Sequence, residues 1–263
     1  MKIGIIGVGA IGTYVRDHLE ERGHPIRALL VRPERLDELA RERPDTTCVG
    51  SVADLPADID LVIDCAGQAA LTLHGADILR RGIDLMTVSI GALANAALYS
   101  DLEQAAIDGN AKLHLVSGAI GALDCLRAAR TGALHTVTYT GRKPPKSWKG
   151  SPAEEQLDLD SLTGSERVHF EGSARDAATQ YPKNANVAAA VALAGVGMDD
   201  TAVRLIADPN VDQNIHEVVA TGEFGRFSFE ICGHALPDNP KSSALAAMSV
   251  VSQVEQLTQR ISF

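Results

Sequence analysis

The chain has 263 residues, of which 45% are apolar and 22% charged, and its formal net charge is −10. That length builds one large domain or two ordinary ones around a sizeable core. The acidic balance argues against nucleic acid and against a membrane surface as partners, since both are held through basic patches.

In chain order, "KIGIIG" is a short apolar run closing on glycine and predicts a strand; its lone lysine and many glycines do not suit a signal segment. "AIGTYVRDHLEERG" sets Ile11, Val15 and Leu19 on one helical stripe and stops at Gly23. "IRALLV" predicts a second buried strand, and "PERLDELARER" a helix opening at Pro33. "DLVIDCA" and "IDLMTVS" predict further strands, each followed by helical sequence, and "KLHLVSGAI" the last strand of the sheet. Apolar strands alternating with amphipathic helices imply a doubly wound parallel sheet covered on both faces.

Beyond about residue 120 the pattern changes. "LHTVTYTGRK" alternates as a half-exposed strand, and "RKPPKSWKGSP" is a loop rich in proline and lysine. "RVHFEGSA", a helical "NVAAAVALAGVG", and the strand-like "AVRLIADP", "NIHEVVATG" and "FGRFSFEICG" follow. Strands in succession predict an α+β domain with a mixed or antiparallel sheet. "SSALAAMSVVSQVEQLTQRI" predicts a final helix capped by Ser242 or Ser243. The expected division is a dinucleotide-binding domain over 1–118, a substrate and dimerisation domain over 119–240, and a C-terminal helical segment, 241–263, packing back on the first domain. Cys48, Cys65, Cys125 and Cys232 show neither a CxxC pair nor zinc-ligand spacing. They read as reduced thiols of a cytoplasmic protein, with no metal expected. No apolar run approaches the roughly 18 residues of a membrane span.

"IGIIGVGAIG" carries G-x-G-x-x-G at Gly7, Gly9 and Gly12, directly after a predicted strand and opening a helix. Gly7 permits the tight turn, Gly9 lets a pyrophosphate approach the backbone, and Gly12 lets helix and strand pack closely. With Ala10 and Ile11 between them, these residues present free N–H groups at a helix N-terminus to an anion. The second strand lacks the usual terminal acid; Arg32 and Arg35 stand there instead and suit a 2′-phosphate, so NADP is expected alongside NAD. As plain solvated side chains they would carry no such meaning. Ala66 and Gly67, after the fourth strand, are small residues where the cofactor crevice should lie.

"HLVSGAIGALDCLRAAR", "FEGSARDAATQYPKNANVAAAVALAGVG", "VRLIADP", "NIHEV", "FGRFSFEI" and "NPKSSALAAMSVV" together resemble the L-aspartate dehydrogenase family over nearly the whole chain. The resemblance implies an N-terminal Rossmann domain joined to an α+β domain. It also implies reversible NAD- or NADP-dependent oxidative deamination of L-aspartate to oxaloacetate and ammonia through iminosuccinate, which can feed NAD biosynthesis. His216 would then be the catalytic acid/base, with Ala119 and Asn186 touching the nicotinamide cofactor. From spacing alone, a lone histidine in a strand is as readily structural; if the strand forms, His216 shares a face with Asn214, Val218 and Ala220. Imidazole suits proton exchange because its ordinary pKa lies near working pH.

Lys183 and Asn184 precede a helix that Asn186 would cap, and Lys241, Ser242 and Ser243 open the last helix. Two such anion sites would suit a substrate with two carboxylates. The expected partners are thus L-aspartate or oxaloacetate with ammonia, and a second copy of the chain as a homodimer. Competing readings are a homoserine-dehydrogenase-like or dihydrodipicolinate-reductase-like enzyme, a non-catalytic dinucleotide-binding redox sensor, and a structural module with a degenerate glycine loop.

Overall fold

The computed structural model describes every residue except Lys183, Asp238, Ser262 and Phe263, and omits the side chains of Pro240 and Lys241. The chain forms two compact units, Met1–Val116 with Ala246–Phe263, and Ser117–Leu245.

In the first unit, β1 (Ile3–Ile6) leads into α1 (Ala10–Glu21), β2 (Ile26–Leu30), α2 (Leu36–Glu42) and β3 (Thr47–Val49). Then come β4 (Leu61–Asp64), α3 (Gln68–Arg80), β5 (Asp84–Thr87), α4 (Ala96–Gly109) and β6 (Leu113–Leu115). The strands pair in parallel in the order β3-β2-β1-β4-β5-β6. This is the doubly wound arrangement that the alternating pattern predicts, and the order reverses between β1 and β4. β1 and β4 are buried at every position, as strands covered on both faces must be. Val15 and Leu19 of α1 enter the core against Ile3, Ile5 and Leu29. The last helix, α9 (Ala244–Thr258), adds Val250, Val251 and Val254 to the same core.

Two local expectations need correction. The segment opening at Pro33 begins as a 3-10 turn, Pro33–Arg35, and turns α-helical only at Leu36. β3 corresponds to none of the segments singled out in the sequence, because three residues are too few to show a period.

The second unit runs α5 (Leu123–Ala129), β7 (Leu134–Lys143), α6 (Ala153–Gln156), β8 (Arg167–Ser173), α7 (Ala174–Gln180) and α8 (Asn186–Ala194). It continues through β9 (Ala202–Ala207), β10 (Asn214–Gly222), β11 (Gly225–Gly233), β12 (Ala235–Leu236) and β13 (Asn239–Ser243). Its main sheet has the order β11-β10-β7-β9-β8 and is mixed, since β7 and β9 run parallel and the other pairs antiparallel. Helix α8 is buried on nearly every side; its alanines and valines let it sit close to its neighbours where larger side chains would not fit. The alternation of β10 places His216, Val218 and Ala220 on the buried face.

The sequence predicts a last helix capped by Ser242 or Ser243, and α9 does begin directly after Ser243, although residues 239–243 form a strand, paired with β12 through Ala235↔Ser243 and Leu236↔Asn239. Ser243 Oγ is buried without a hydrogen-bond partner among the described residues, so it does not cap α9. The loop 144–152 contains a 3-10 turn, Pro145–Trp148, whose Trp148 is wholly buried and donates from Nε1 to the Ile206 carbonyl at 3.0 Å. No described helix is long and apolar enough to cross a membrane.

Candidate active site

The glycine loop of the first unit has the geometry of an anion cradle. Gly7 sits at φ +89°, a conformation that side chains rarely adopt. A Cβ at Gly12 would stand 2.2 Å from the Gly7 carbonyl oxygen, while a Cβ at Gly9 would meet nothing within 4 Å. Gly12 is therefore glycine for packing, and Gly9 leaves open space beside the backbone. Helix α1 has Gly9 in the capping position, no side-chain cap and no acid in its first turn. Its first N–H groups, including those of Ala10 and Ile11, and its positive dipole end are thus uncompensated and fit a pyrophosphate.

Ala66 and Gly67 follow β4 next to this loop, and a Cβ at Gly7 would lie 2.8 Å from that of Ala66. The turn is held by Asp64, fully buried, which accepts from the Ala66 amide at 2.9 Å, the Thr87 hydroxyl at 2.8 Å and the Ser89 hydroxyl at 2.7 Å. Burial pushes the Asp64 carboxyl above the usual range against these bonds. Arg32 and Arg35 are exposed after β2, and Arg35 is engaged by Glu38 at 2.6 Å.

In the second unit, β10 lies between β7 and β11, and His216 pairs with Gly141 on one side and Ile231 on the other. Its Nδ1 is 2.7 Å from the Tyr139 hydroxyl, and the two rings stack at 17°. Tyr139 reaches it because position 141 lacks a side chain: a Cβ there would lie 2.8 Å from the Tyr139 hydroxyl. Lys143 follows on the same face of β7, since Tyr139, Gly141 and Lys143 are two residues apart. Its Nζ donates to Asn184 Oδ1 at 2.8 Å and lies 4.9 Å from the centre of the Trp148 ring. Burial, then the Lys143 ammonium, bring the His216 imidazole down to about 3, and burial brings Lys143 itself down to about 8. His169 is packed against Trp148 and bonded through Nδ1 to the Tyr181 hydroxyl at 3.1 Å. Burial and Lys143 bring it to about 4. Its Nε2 has no partner among the described residues.

The second unit thus holds His216 with Lys143, Tyr139 and Asn184. Asn186 is the first helical residue of α8, with Ala185 in the capping position, so it does not cap the helix as the sequence suggests. Ala119 lies buried in the turn 117–122, where Gly118 and the non-glycine Ala122 both take left-handed conformations. Ser242 lies in β13, and Lys241 is in the same strand rather than at a helix start. Lys183 lies outside the described residues. His114 is held by Asp84 at 3.0 Å within the first unit.

Sequence reasoning missed Tyr139, Lys143 and the role of Trp148. A tryptophan inside a polar proline-lysine loop was the signal that this loop folds inward. A glycine in the middle of β7 was the signal of a close approach.

Comparison with known proteins agrees with this architecture. The family described as aspartate dehydrogenase, C-terminal, matches residues 124–257, and the homoserine dehydrogenase NAD binding domain matches residues 7–116. The first unit is accordingly an NAD(P)-binding domain. The crystal structure of aspartate dehydrogenase from Thermotoga maritima superimposes with a TM-score of 0.79 at 27% identity, covering 100% of this chain and 99% of that one. An archaeal homoserine dehydrogenase matches at 0.60 with 12% identity, a likeness of fold alone. L-Aspartate dehydrogenase of Ralstonia pickettii is 47% identical over 95% of each chain. That of Ruegeria pomeroyi is 51% identical over 256 residues, 97% of this chain and 92% of that protein. With such identity along nearly its whole length, and both of its units matched, the chain belongs to the L-aspartate dehydrogenase family.

Proposed function

We infer that the chain catalyses the reversible, NAD(P)-dependent oxidative deamination of L-aspartate to oxaloacetate and ammonia through iminosuccinate. The observation that carries the reading is His216, a buried, neutral imidazole pinned through Nδ1 by Tyr139 and flanked by the Lys143 ammonium.

Gly7, Gly9, Ala10, Ile11 and Gly12 would hold the pyrophosphate, with Ala66 and Gly67 lining the crevice and Ala119 and Asn186 contacting the nicotinamide. The bound nicotinamide supplies the acceptor for the hydride leaving the substrate Cα. With Nδ1–H donating to the Tyr139 oxygen, the lone pair of the neutral ring lies at Nε2, and His216 exchanges a proton there. It takes a proton from the water that adds to the imine carbon and returns it to the departing nitrogen, which leaves as ammonia. In the reverse direction it serves the carbinolamine as acid. A neutral ring is the correct starting form for the oxidative direction, because only the neutral ring has a lone pair to accept the proton.

Arg32 gives the cofactor's 2′-position a cation rather than an acid, which supports acceptance of NADP(H) beside NAD(H). A homodimer in the cytoplasm, contributing iminosuccinate to NAD biosynthesis, completes the reading.

The test is nicotinamide reduction by the purified protein with L-aspartate and each cofactor in turn. His216→Ala should lower kcat by about 10²–10⁴-fold with cofactor affinity unchanged. Cofactor binding without any aspartate-dependent reduction would make the protein a sensor. Near-full turnover in the variant would remove His216 from the chemistry.

A further inference from the structure

We propose that Lys143 binds a carboxylate of the dicarboxylic substrate beside His216, and that Asn184 and the Trp148 ring hold its ammonium ready for that anion. The proposal rests on the aspartate reading above and assigns a residue within that site.

Lys143 stands on the same face of β7 as Gly141, the residue opposite His216. Its neighbour Arg142 points the other way and is already neutralised by Asp208, at 2.9 Å, and Glu166. Lys149, further along, is paired with Asp160 at 2.5 Å. Lys143 makes no ion pair with the described residues. Its polar contact is the neutral amide oxygen of Asn184 at 2.8 Å, and its other neighbour is the face of Trp148 at 4.9 Å. An ammonium has three protons to donate, and one amide oxygen uses one of them. A half-buried cation without a counter-ion is unfavourable until an anion arrives. Trp148 is itself locked by its bond to the Ile206 carbonyl, so the ammonium sits on a rigid platform.

Asn184 therefore acts through Lys143, as a positioning residue. The arrangement also links binding to proton transfer. Lys143 is the charged group that opposes protonation of His216. A carboxylate seated on Lys143 cancels part of that opposition, so the imidazole becomes a better base when substrate is present than when it is absent.

The experiment compares wild type with Lys143→Gln, Lys143→Met and Lys143→Arg. Steady-state kinetics with L-aspartate are combined with calorimetry of succinate, a dicarboxylate without the amine, binding to the cofactor-loaded protein. Losing a charge-assisted contact should raise the KM for L-aspartate and the succinate Kd about ten- to a hundredfold in Lys143→Gln. Cofactor Kd should stay at the wild-type value, the melting temperature of the uncharged variants should not fall, since they remove a cation without a counter-ion, and Lys143→Arg should recover most of the loss. Lys143→Met keeps the test open should the glutamine variant not fold. A succinate Kd and KM within threefold of wild type in the folded uncharged variants would overturn the assignment, whatever happens to kcat. Succinate binding is read without turnover, so the assignment can fail while the activity stands; an inactive wild type that still binds succinate through Lys143 would sink the activity alone.

Discussion

Tyr139→Phe isolates one bond. The Tyr139 hydroxyl lies 2.7 Å from His216 Nδ1, and the two residues are 1% and 5% exposed. Burial pushes the phenol up, so the hydroxyl keeps its proton throughout the working range. Phenylalanine preserves the ring and its stacking but leaves Nδ1 buried with no partner. An unsatisfied buried polar atom costs about 1–3 kcal/mol. If that cost falls on the step in which His216 moves a proton, kcat drops about five- to a hundredfold, since about 1.4 kcal/mol is a factor of ten. The KM for L-aspartate should hardly change, because the hydroxyl contacts the imidazole rather than the substrate. The assay is initial velocity at saturating L-aspartate and cofactor, followed by nicotinamide absorbance. Gly141→Ala perturbs the same bond from the other side. Its Cβ would lie 2.8 Å from the hydroxyl and 3.2 Å from Leu205 Cδ2, so the hydroxyl must be displaced. The double variant should be no slower than the slower single variant, because both remove one interaction. A Tyr139→Phe enzyme with kcat within twofold of wild type would refute the orienting role.

Two further outcomes follow from the geometry. Gly12→Ala would set a Cβ 2.2 Å from the Gly7 carbonyl oxygen, a backbone atom that cannot turn aside; cofactor Kd should rise more than tenfold and stability fall by about 1–3 kcal/mol, whereas Gly9→Ala, with open space around it, should weaken binding without lowering the melting temperature. Calorimetry and thermal melting separate these, and equal behaviour of the two variants would contradict the cradle. The fold should also be acid-sensitive: His216 falls from an unfolded value of 6.5 to about 3 in the native state, so the unfolded chain binds the extra proton between these values. Stability is complete above pH 6.5 and declines as pH falls toward 3, by about 3 kcal/mol at pH 4 for this residue. Denaturant titrations of wild type and His216→Gln should therefore converge on acidification, and a constant gap between pH 7 and pH 4 would exclude the buried neutral imidazole.

The two-domain architecture was readable because its signals are local. β1, β2 and β4 announce themselves as short, mainly apolar runs, and α1 as the stripe of Ile11, Val15 and Leu19. The glycine turn is likewise contained within six residues, and its strand–turn–helix setting makes it specific. Errors fell where local signals compete. "NPKSS" carries helix-start chemistry and α9 does begin right after it, yet pairing with β12 draws residues 239–243 into a strand and Ser243 does not cap. Pro33 suits the first turn of either kind of helix, and the 3-10 form wins for its three residues.

The surroundings of His216 depend instead on register. Tyr139 and His216 are 77 residues apart, and they meet because β7 and β10 pair antiparallel with His216 opposite Gly141. A shift of that pairing by one residue would send the imidazole to the other face. Nothing in "LHTVTYTGRK" alone singles out its tyrosine or its final lysine. The glycine between them is the exception. In a strand interior it forgoes packing and backbone restriction and so weakens the strand, unless something else must occupy the space. Here that space is filled by the Tyr139 hydroxyl on its way to Nδ1. One glycine thus lets the phenol reach the imidazole and hold it, in a setting where burial first and the Lys143 ammonium second keep the ring neutral.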